Sequence, residues 1–296
     1  MTQAQLGLVC ITASTEVRYR ALTRKRLLAH DEQAQRKLLE DLYRDNIQTL
    51  DSALRYCEAT GIRLYRMPSS IFPFADEPIG REVLEGFAAT LGRSGRRAIE
   101  RGTRLVMHPE QFVVLNSDSE GVVANSIKIL QMHADIMDLL DQPRTPWALL
   151  EIHGGKADRA DALVERIARL PDGIRCRIGL ENDEYAYSAE EIHDICMRAG
   201  VPMVFDAHHH VVHEDLDSYE HPSVEAMLRK ARETWNVPGH QLVHISNGRS
   251  SFNDRQHADL IVTMPSSYRM APWIEIEAKL KEEAIRGLDG WEARFG

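Results

Sequence analysis

Eight short apolar segments, each followed by a loop and a longer amphipathic segment, constrain the fold of this chain more than any other feature. The apolar runs have the length of β-strands and lie at residues 6–10, 62–67, 104–107, 147–152, 176–180, 202–205, 241–245 and 273–276. Helical patterns occupy residues 32–59, 81–101, 122–140, 157–169, 189–199, 223–235 and 278–288. Strands that alternate with helices form parallel βαβ units, and eight such units favour closure. We therefore predict an α/β fold, a (β/α)8 barrel of the TIM type.

The length of the chain fits one such barrel. The chain has 296 residues, of which 43% are hydrophobic, and chains of about 250 residues commonly form one α/β barrel with a full core. No linker, internal repeat or low-complexity tract interrupts the pattern, so we expect residues 1–296 to form a single domain. An open doubly wound sheet is the alternative, but no glycine-rich phosphate-binding fingerprint follows any predicted strand.

Cysteine usage and hydropathy bear on the cellular location. The cysteines, Cys10, Cys57, Cys176 and Cys196, lie far apart and form no CxxC pair, so we expect neither a zinc ribbon nor a disulfide framework. No stretch approaches the roughly 18 apolar residues of a membrane span. We therefore expect a cytoplasmic protein without a membrane partner.

The acidic balance of the chain limits how it could bind nucleic acid. The formal net charge is -9, which argues against a protein that coats nucleic acid by general electrostatic attraction. A DNA partner must then be held locally, and basic stretches at 18–26 and 93–104 are candidates, although solvated helix faces often carry such runs. Nothing in the sequence indicates an obligate protein partner.

Metal-binding residue types lie at or just past the ends of six predicted strands. They are His108, His153, Glu181, Asp206, His244 and Glu277. One such residue alone is usually hydrogen-bonded within its loop. In a parallel barrel, however, the carboxyl ends of all strands meet on the face that hosts active sites. We therefore expect the six side chains to converge on one centre.

A cluster of carboxylates and imidazoles calls for cations. Glu181, Asp206 and Glu277 would repel one another in one pocket unless cations neutralised them. Mixed nitrogen and oxygen ligands without thiolate favour Zn2+, Mn2+ or Fe2+ over Mg2+ or Ca2+. Residues 208–210 and His257 leave imidazole for a third ion, although the three successive histidines could instead be surface residues. Ions bridged by carboxylates can activate water and hold phosphate oxygens, so the cluster indicates phosphoester hydrolysis.

These residues lie in motifs that resemble the UV damage endonuclease family over nearly the whole chain. The motifs are Tyr65-Arg66-Met67-Pro68-Ser69-Ser70, His108-Pro109-Glu110-Gln111-Phe112-Val113-Val114-Leu115-Asn116, His153-Gly154-Gly155-Lys156, Leu180-Glu181-Asn182-Asp183, Phe205-Asp206-Ala207-His208-His209-His210, His244-Ile245-Ser246 and Glu277-Ala278-Lys279. The resemblance implies a barrel with three metals, as in endonuclease IV, that acts on damaged double-stranded DNA. It also implies hydrolysis immediately 5′ of cyclobutane dimers, 6-4 photoproducts and some abasic sites, leaving a 3′ hydroxyl and a 5′ phosphate.

The resemblance assigns ligands to each ion. Those of the first ion would be His108, His153 and Glu181. Those of the second would be Glu181, Asp206, His244 and Glu277, which together form the implied catalytic group. The third ion would be held by His209 and His257. Manganese is the ion associated with the family, with Zn2+ or Mg2+ as alternatives.

The resemblance also assigns DNA contacts, to Gln111, Phe112, Thr12 and Arg66. The Gln111-Phe112 pair matches the probing residues of the family, which enter the duplex while the damaged dinucleotide is flipped out. A flat ring can replace the lost stacking partner, and a distorted lesion costs less to unstack. The alternative is a Phe112 ring that only packs its own loop.

Some positions depart from the pattern of many relatives. Leu8 stands where Tyr is common and Thr12 where Asn is common, and both positions are expected near the lesion pocket. Phe112 replaces a Tyr, and Leu242 stands where some relatives have Lys. None of these departures removes an implied ligand.

Two rival functions remain open from the sequence. A sugar isomerase or epimerase of the same barrel type also gathers His, Glu and Asp on a divalent ion. Such an enzyme needs fewer ions, so the surplus of His209 and His257 favours a nuclease. A catalytically silent lesion-binding protein is disfavoured because every implied ligand type is present.

The probing assignment makes a prediction for Phe112. Replacement of Phe112 by Ala is expected to weaken binding to irradiated duplex by about 1 to 3 kcal/mol, the usual contribution of one stacking contact, while metal content stays unchanged. Binding titrations with irradiated and intact duplexes measure the effect, and an unchanged affinity for irradiated DNA would contradict the probing role.

Overall fold

The strands close into the predicted barrel. A computed structural model describes residues 4–109 and 113–294. In this part of the chain, eight parallel strands form a closed barrel in sequence order, and β1 pairs with both β2 and β8. The strands are β1 (Gln5–Val9), β2 (Leu64–Met67), β3 (Arg104–Met107), β4 (Leu150–His153), β5 (Ile178–Glu181), β6 (Met203–Asp206), β7 (Leu242–Ile245) and β8 (Trp273–Ile276). The predicted fold class is confirmed.

Helices follow the strands and surround the barrel. They are α1 (Arg24–Leu27), α2 (Glu32–Thr60), α3 (Pro78–Glu85), α4 (Ala88–Glu100), α5 (Glu120–Leu139), α6 (Ala160–Ala168), α7 (Asp172–Arg175), α8 (Ala189–Ala199), α9 (Ala207–His213), α10 (Pro222–Glu233), α11 (Lys281–Gly287) and α12 (Trp291–Arg294). Within the described residues, no helix combines the length and apolar character needed to cross a bilayer.

Several predicted boundaries were wrong for local reasons. The helix predicted at 81–101 is two helices, α3 and α4, because the helical path is interrupted at Gly86 and Phe87, and glycine has a poor helix propensity. The strand predicted from residue 147 begins only at Leu150. Before it, Thr145 caps a short 3-10 turn that starts at Pro146, whose ring fixes the backbone outside the strand conformation. Helix α9 was not predicted, because its run after β6 is too short to show a helical period.

The barrel interior has an apolar layer beneath the ligand-type residues. Alternate residues of each strand point inward, so Val204 and Leu242 precede Asp206 and His244 by two positions on the same face. This lower layer consists of Leu64, Val106, Leu149, Val204 and Leu242, with Trp235 and Trp273 at its edge. Leu8 belongs instead to the larger cluster between strands and helices, and its side chain does not line the cavity at the carboxyl ends of the strands.

A buried arginine closes the amino-terminal end of the barrel. Arg104 is fully buried at the start of β3, and its guanidinium group donates to the backbone carbonyls of Trp147, Pro146 and His240 at 2.8 to 2.9 Å. The rings of Trp147 and Trp273 lie 5.1 and 5.5 Å from its central carbon. Although burial lowers the pKa of Arg104 to about 10, the group stays charged at neutral pH. It therefore ties together two loops at the face opposite the strand ends.

Replacement of Arg104 tests how much its buried hydrogen bonds stabilise the barrel. Replacement by Lys is expected to reduce the free energy of unfolding by about 2 to 4 kcal/mol, because one ammonium group cannot reach three divergent carbonyls and leaves buried acceptors unpaired. Urea unfolding measures the change. The exposed Arg96→Lys variant is the control and should stay within about 0.5 kcal/mol of the parent. Equal stability of the two variants would contradict a structural role for Arg104.

Candidate metal centre

The six predicted residues at the strand ends do converge, around Glu181. The Glu181 carboxylate ends β5 and is almost completely buried. Its Oε2 atom lies 3.0 Å from His108 Nε2 and 3.8 Å from His153 Nε2. Its Oε1 atom lies 2.8 Å from His244 Nδ1 and 3.5 Å from His209 Nδ1. The two oxygens of one carboxylate thus face two separate sets of imidazoles.

A second carboxylate group forms the other side of the centre. Asp206, His244 and Glu277 offer ligand atoms within 4.8 Å of one another, as do Glu181, Asp206 and His209. His244 Nδ1 lies 3.6 Å from Glu277 Oε1. His108, His153 and Glu181 form a further group. Of these three groups, Glu181 belongs to two and Asp206 belongs to two. Shared carboxylates are the arrangement expected where neighbouring cations are bridged.

His257 joins the centre less closely than the other histidines. Its Nε2 atom lies 3.8 Å from Glu277 Oε2, and the side chain is about one third exposed at 32%. Among residues 4–109 and 113–294, no group of three ligand atoms within 4.8 Å includes His257. His209 Nε2 instead approaches Glu184 Oε1 at 3.5 Å, a carboxylate that the sequence reasoning missed. The third ligand set stays a prediction.

The helix after β6 explains the run of three histidines. The Asp206 Oδ1 atom accepts a hydrogen bond from the His209 backbone N–H at 2.8 Å and so caps α9. All three histidines are buried, so the surface alternative is wrong. His208 contacts Tyr219 Oη at 2.7 Å and His210 contacts Ser223 Oγ at 2.9 Å, which leaves only His209 turned to the centre.

Side-chain hydrogen bonds of Asn116 join two loops beside His153. Asn116 donates to the carbonyl oxygens of Gly154 and Lys156 and accepts from the Lys156 N–H, which joins the loops after β3 and β4 beside His153. Gly155 is required there, because its φ of 81° is left-handed and a Cβ would lie 2.5 Å from Asn116 Oδ1. Asn116 and Gly155, which the sequence offered only as parts of family motifs, are therefore needed for the local structure of these two loops.

The loop after β7 holds His257 through backbone contacts. Gly248 and His257 form an antiparallel bridge, and Ala258 N–H donates to Asn247 O at 2.7 Å. A Cβ on Gly248 would lie 2.0 Å from Ser251 O, so no other residue fits this turn. His257 therefore reaches the centre from a folded loop and not from a strand.

Two further carboxylates lie inside the barrel beneath His244. Glu151 and Glu275 are fully buried, and with His244 they form another group of ligand atoms within 4.8 Å. Sequence reasoning missed both, although each lies two positions before an implied ligand, His153 or Glu277. The twofold side-chain period of a strand could have placed them on the same inward face.

The charged groups of the centre shift each other's pKa. Burial opposes the ionisation of Glu181, but His244 and His153 outweigh it and hold the pKa of Glu181 well below its usual range. Burial also disfavours the charged form of His209, yet Asp206 and Glu181 raise the pKa of His209 to about 10. A cation that binds His209 at neutral pH must therefore displace a proton, so cation affinity falls as the pH is lowered.

The donor set fits divalent cations. The Asp206 Oδ2 atom is buried and has no hydrogen-bond partner among the residues the structure describes. A buried anionic oxygen without a partner is costly unless a cation neutralises it. Imidazole nitrogens and carboxylate oxygens, with no thiolate in the cluster, match transition metals that accept mixed ligands. The centre opens into a cavity of about 530 Å³ lined by His108, His153, Glu181, His209, His257 and Glu277, among others.

The residues predicted to contact DNA have mixed placements. Thr12 is fully buried, and its hydroxyl donates to Ser14 O and accepts from the Val17 N–H, so it shapes the loop after β1. Arg66 lines the cavity, but its guanidinium group pairs with Glu275 and Glu277 at 2.8 and 2.5 Å.

Gln111 and Phe112 lie outside the described residues. Direct DNA contacts of Gln111, Phe112, Thr12 and Arg66 stay predictions.

Comparison with known proteins identifies similar chains. A family model described as UV-endonuclease UvdE matches residues 4–290. The UV DNA damage endonuclease of Nostoc sp. is 52% identical over 291 residues, which cover 98% of this chain and 90% of the relative. That of Deinococcus radiodurans is 50% identical over 287 residues, which cover 96% of this chain and 94% of the relative.

Solved structures show the same fold at lower identity. The crystal structure of SacUVDE has a TM-score of 0.80 at 24% identity and covers 97% of this chain and 99% of that chain. A D-psicose 3-epimerase from Clostridium cellulolyticum H10 has a TM-score of 0.54 at 11% identity and covers 98% of this chain and 99% of that chain. At these identities the similarity concerns the fold alone.

The unpaired Asp206 oxygen makes a prediction about stability. Asp206→Asn keeps an oxygen to cap α9 but removes one charge from the crowded centre. The chelated variant is expected to be less stable than the chelated parent, because the charged His209 imidazole loses one of the carboxylates that raise its pKa. Mn2+ at 100 times its Kd should stabilise the parent by about 2.7 kcal/mol, and the variant clearly less. Thermal melts with chelator and with Mn2+ measure both effects, and an equal response to Mn2+ would contradict a ligand role for Asp206.

Proposed function

The chain belongs to the UV-endonuclease UvdE family, and on that premise we propose that it hydrolyses the DNA backbone immediately 5′ of UV photoproducts with the help of divalent cations. Family membership makes it a DNA endonuclease that acts on UV damage. The proposed products are a 3′ hydroxyl and a 5′ phosphate, and the proposed lesions are cyclobutane dimers, 6-4 photoproducts and some abasic sites.

The position of Glu181 is the observation that supports this mechanism most. Its two oxygens lie 3.0 Å from His108 Nε2 and 2.8 Å from His244 Nδ1, on opposite sides of one carboxylate. Glu181 can therefore serve two ligand sets at once. We assign His108, His153 and Glu181 to one ion and Glu181, Asp206, His244 and Glu277 to a second. His209 and His257 are assigned to a third, with Mn2+ as the proposed ion and Zn2+ or Mg2+ as alternatives.

The residues of the chain prepare the site for a phosphate group. Divalent ions, when bound, supply a nucleophile from water at neutral pH and stabilise the negative charge on phosphate oxygens. The side chains fix this arrangement before substrate arrives, because Glu181 and His244 are held by buried contacts on strands. Arg66 holds Glu277 at the edge of the cavity through a 2.5 Å ion pair. No side chain is required as a covalent nucleophile.

Recognition of damage is assigned to the loops around the cavity. We propose that Gln111 and Phe112 probe the duplex and that Arg66 faces the cleaved strand at the cavity wall, where it is about nine-tenths buried. An acidic chain with a net charge of -9 needs such local contacts, since it lacks a general attraction for phosphates. The protein is proposed to act in the cytoplasm without an obligate protein partner.

The alternative of a sugar isomerase or epimerase is set aside. Its likeness to this chain concerns the barrel alone, at 11% identity for the D-psicose 3-epimerase, whereas relatives at 50 to 52% identity are UV DNA damage endonucleases. Barrels of this type support many chemistries, so the fold does not discriminate between them. Elemental analysis of bound metal distinguishes the two further, because three ions are proposed here.

Glu181→Gln tests the proposed mechanism. The variant is expected to reduce nicking of UV-irradiated plasmid in Mn2+ by about a hundredfold or more, because a ligand shared by two ions loses its charge. Binding to irradiated DNA should change little, since Glu181 is almost completely buried and exposes little surface to a substrate. Gel assays of nicking and binding titrations measure the two effects.

A matched control and the wild-type protein complete this test. Glu190→Gln removes a carboxylate on the outer surface of α8 and should nick at the parent rate. Wild-type nicking should stop when a chelator removes the metal and return with Mn2+. Nicking by Glu181→Gln at the wild-type rate, or wild-type nicking in excess chelator, would refute the proposed mechanism.

A further inference from the structure

His244 is contacted on both of its ring nitrogens by carboxylates at two depths of the barrel. Its Nδ1 atom lies 2.8 Å from Glu181 in the metal centre. Its Nε2 atom points down the barrel and lies 2.8 Å from Glu151 Oε2 and 3.1 Å from Glu275 Oε2. The side chains of His244, Glu151 and Glu275 are fully buried. The lower contacts are therefore part of the barrel interior and are not reached by a substrate in the cavity.

The surroundings of Glu151 and Glu275 indicate what these two carboxylates do. The oxygens of Glu151 and Glu275 make close ionic contacts with His244 and Arg66, but they have no hydrogen-bond partner among the residues the structure describes, and neither has His244 Nε2. Burying an ionisable group in a barrel is unfavourable unless it is paired. The position of both carboxylates beneath the His244 imidazole indicates a function connected with that imidazole.

The chemistry of imidazole says what this function can be. A neutral histidine carries one ring proton, and only the nitrogen without it can bind a cation. An acceptor beside Nε2 holds the proton there and leaves the Nδ1 lone pair directed at the metal centre. It also stops the ring from rotating about its Cβ–Cγ bond. Partners of this kind are typical of histidine ligands in metalloproteins.

Glu275 extends the support to a second ligand. Arg66 Nη1 lies 2.8 Å from Glu275 Oε2 and 2.5 Å from Glu277 Oε1, so one guanidinium group joins the lower carboxylate to the upper one. Glu275 lies on β8, and Glu277 follows two positions later, just past the end of the strand, so the twofold side-chain period directs both toward the inward face. The positions of His244 and Glu277 thus depend on the same buried layer.

The same geometry argues against a separate cation at this lower layer. The group of Glu151, His244 and Glu275 is fully buried and already includes the positive charge of Arg66. The next layer toward the amino-terminal end is apolar and includes Val106 and Leu242. This apolar layer separates the buried group of Glu151, His244 and Glu275 from the amino-terminal end of the barrel, so the group is a support for the centre above.

Resting on the proposed metal dependence, we propose that Glu151 and Glu275 are positioning residues that hold the Nε2 proton of His244 and so direct its Nδ1 atom at the cation site. Glu151 Oε2 is the nearer carboxylate oxygen to His244 Nε2, at 2.8 Å, and Glu275 works with Arg66 to hold Glu277. Neither residue touches the substrate. Their effect is on the affinity and order of the metal centre.

Metal titration of Glu151 variants tests this role without relying on activity. Glu151→Leu has a similar volume but no acceptor, and it is expected to weaken Mn2+ binding by about 10- to 100-fold, as loss of such partners usually does. Glu151→Gln keeps an acceptor oxygen and should recover most of the affinity. Glu282→Gln is the control, because Glu282 is equally buried but instead accepts from the Ala13 and Ser14 N–H groups. Its Mn2+ affinity should match that of the parent.

A measurement on the unchanged protein covers the case in which Glu151→Leu does not fold. In the Zn2+-loaded wild type, nitrogen-15 spectra should show His244 protonated at Nε2 and not at Nδ1, and Glu151→Gln should keep this tautomer. A proton on Nδ1, or parental Mn2+ affinity in folded Glu151→Leu, would overturn the inference. Absence of Mn2+ and Zn2+ binding by the wild type would instead refute the proposed metal dependence, so the two failures are distinguishable.

Discussion

The structure depends above all on the burial of a carboxylate, Glu181, among imidazoles at the mouth of a closed barrel. Burial alone would make this group neutral, but His244 and His153 keep the pKa of Glu181 low, so it remains an anion. An anion held between two sets of nitrogen ligands can take part in two cation sites. Glu181 forms one group with His108 and His153 and another with Asp206 and His209, and Asp206 also belongs to the group of His244 and Glu277.

The barrel separates stability from chemistry along its axis. At the amino-terminal end, Arg104 pairs with three backbone carbonyls and stacks among tryptophan rings. An apolar layer that includes Val204 and Leu242 lies above it, and the charged layer of Glu151 and Glu275 follows. The ionisable groups are concentrated toward the carboxyl ends of the strands, while apolar packing and the Arg104 hydrogen bonds maintain closure below. This division matches the general rule that conserved chemistry of such barrels lies at the carboxyl ends of the strands.

Loops bring the remaining groups to the centre through backbone hydrogen bonds. Asn116 joins the loops after β3 and β4, and the bridge between Gly248 and His257 folds the loop after β7. The two oxygens of Asp206 differ, because one caps α9 and the other is buried without a hydrogen-bond partner among the described residues, as a group that could bind a cation would be. Residues that would be unremarkable singly acquire their role from these short connections. A change in a loop glycine can therefore disturb a ligand that lies several residues away.

The sequence alone was enough to predict the barrel and the convergence of six carboxylate and imidazole side chains at its strand ends, including Glu181 and His244. The reason is periodic: apolar runs of strand length mark where strands end, and parallel strands end on one face. The sequence could not show that Thr12 is buried, that Leu8 faces the helices, or that Arg66 is committed to two carboxylates.

Only the tertiary structure revealed Glu151 and Glu275 beneath His244, since residues from three strands meet there by the stagger of the closed barrel. Short-range patterns state which face of a strand a residue occupies. The depth at which side chains from different strands meet is decided by barrel closure, which depends on the whole chain at once.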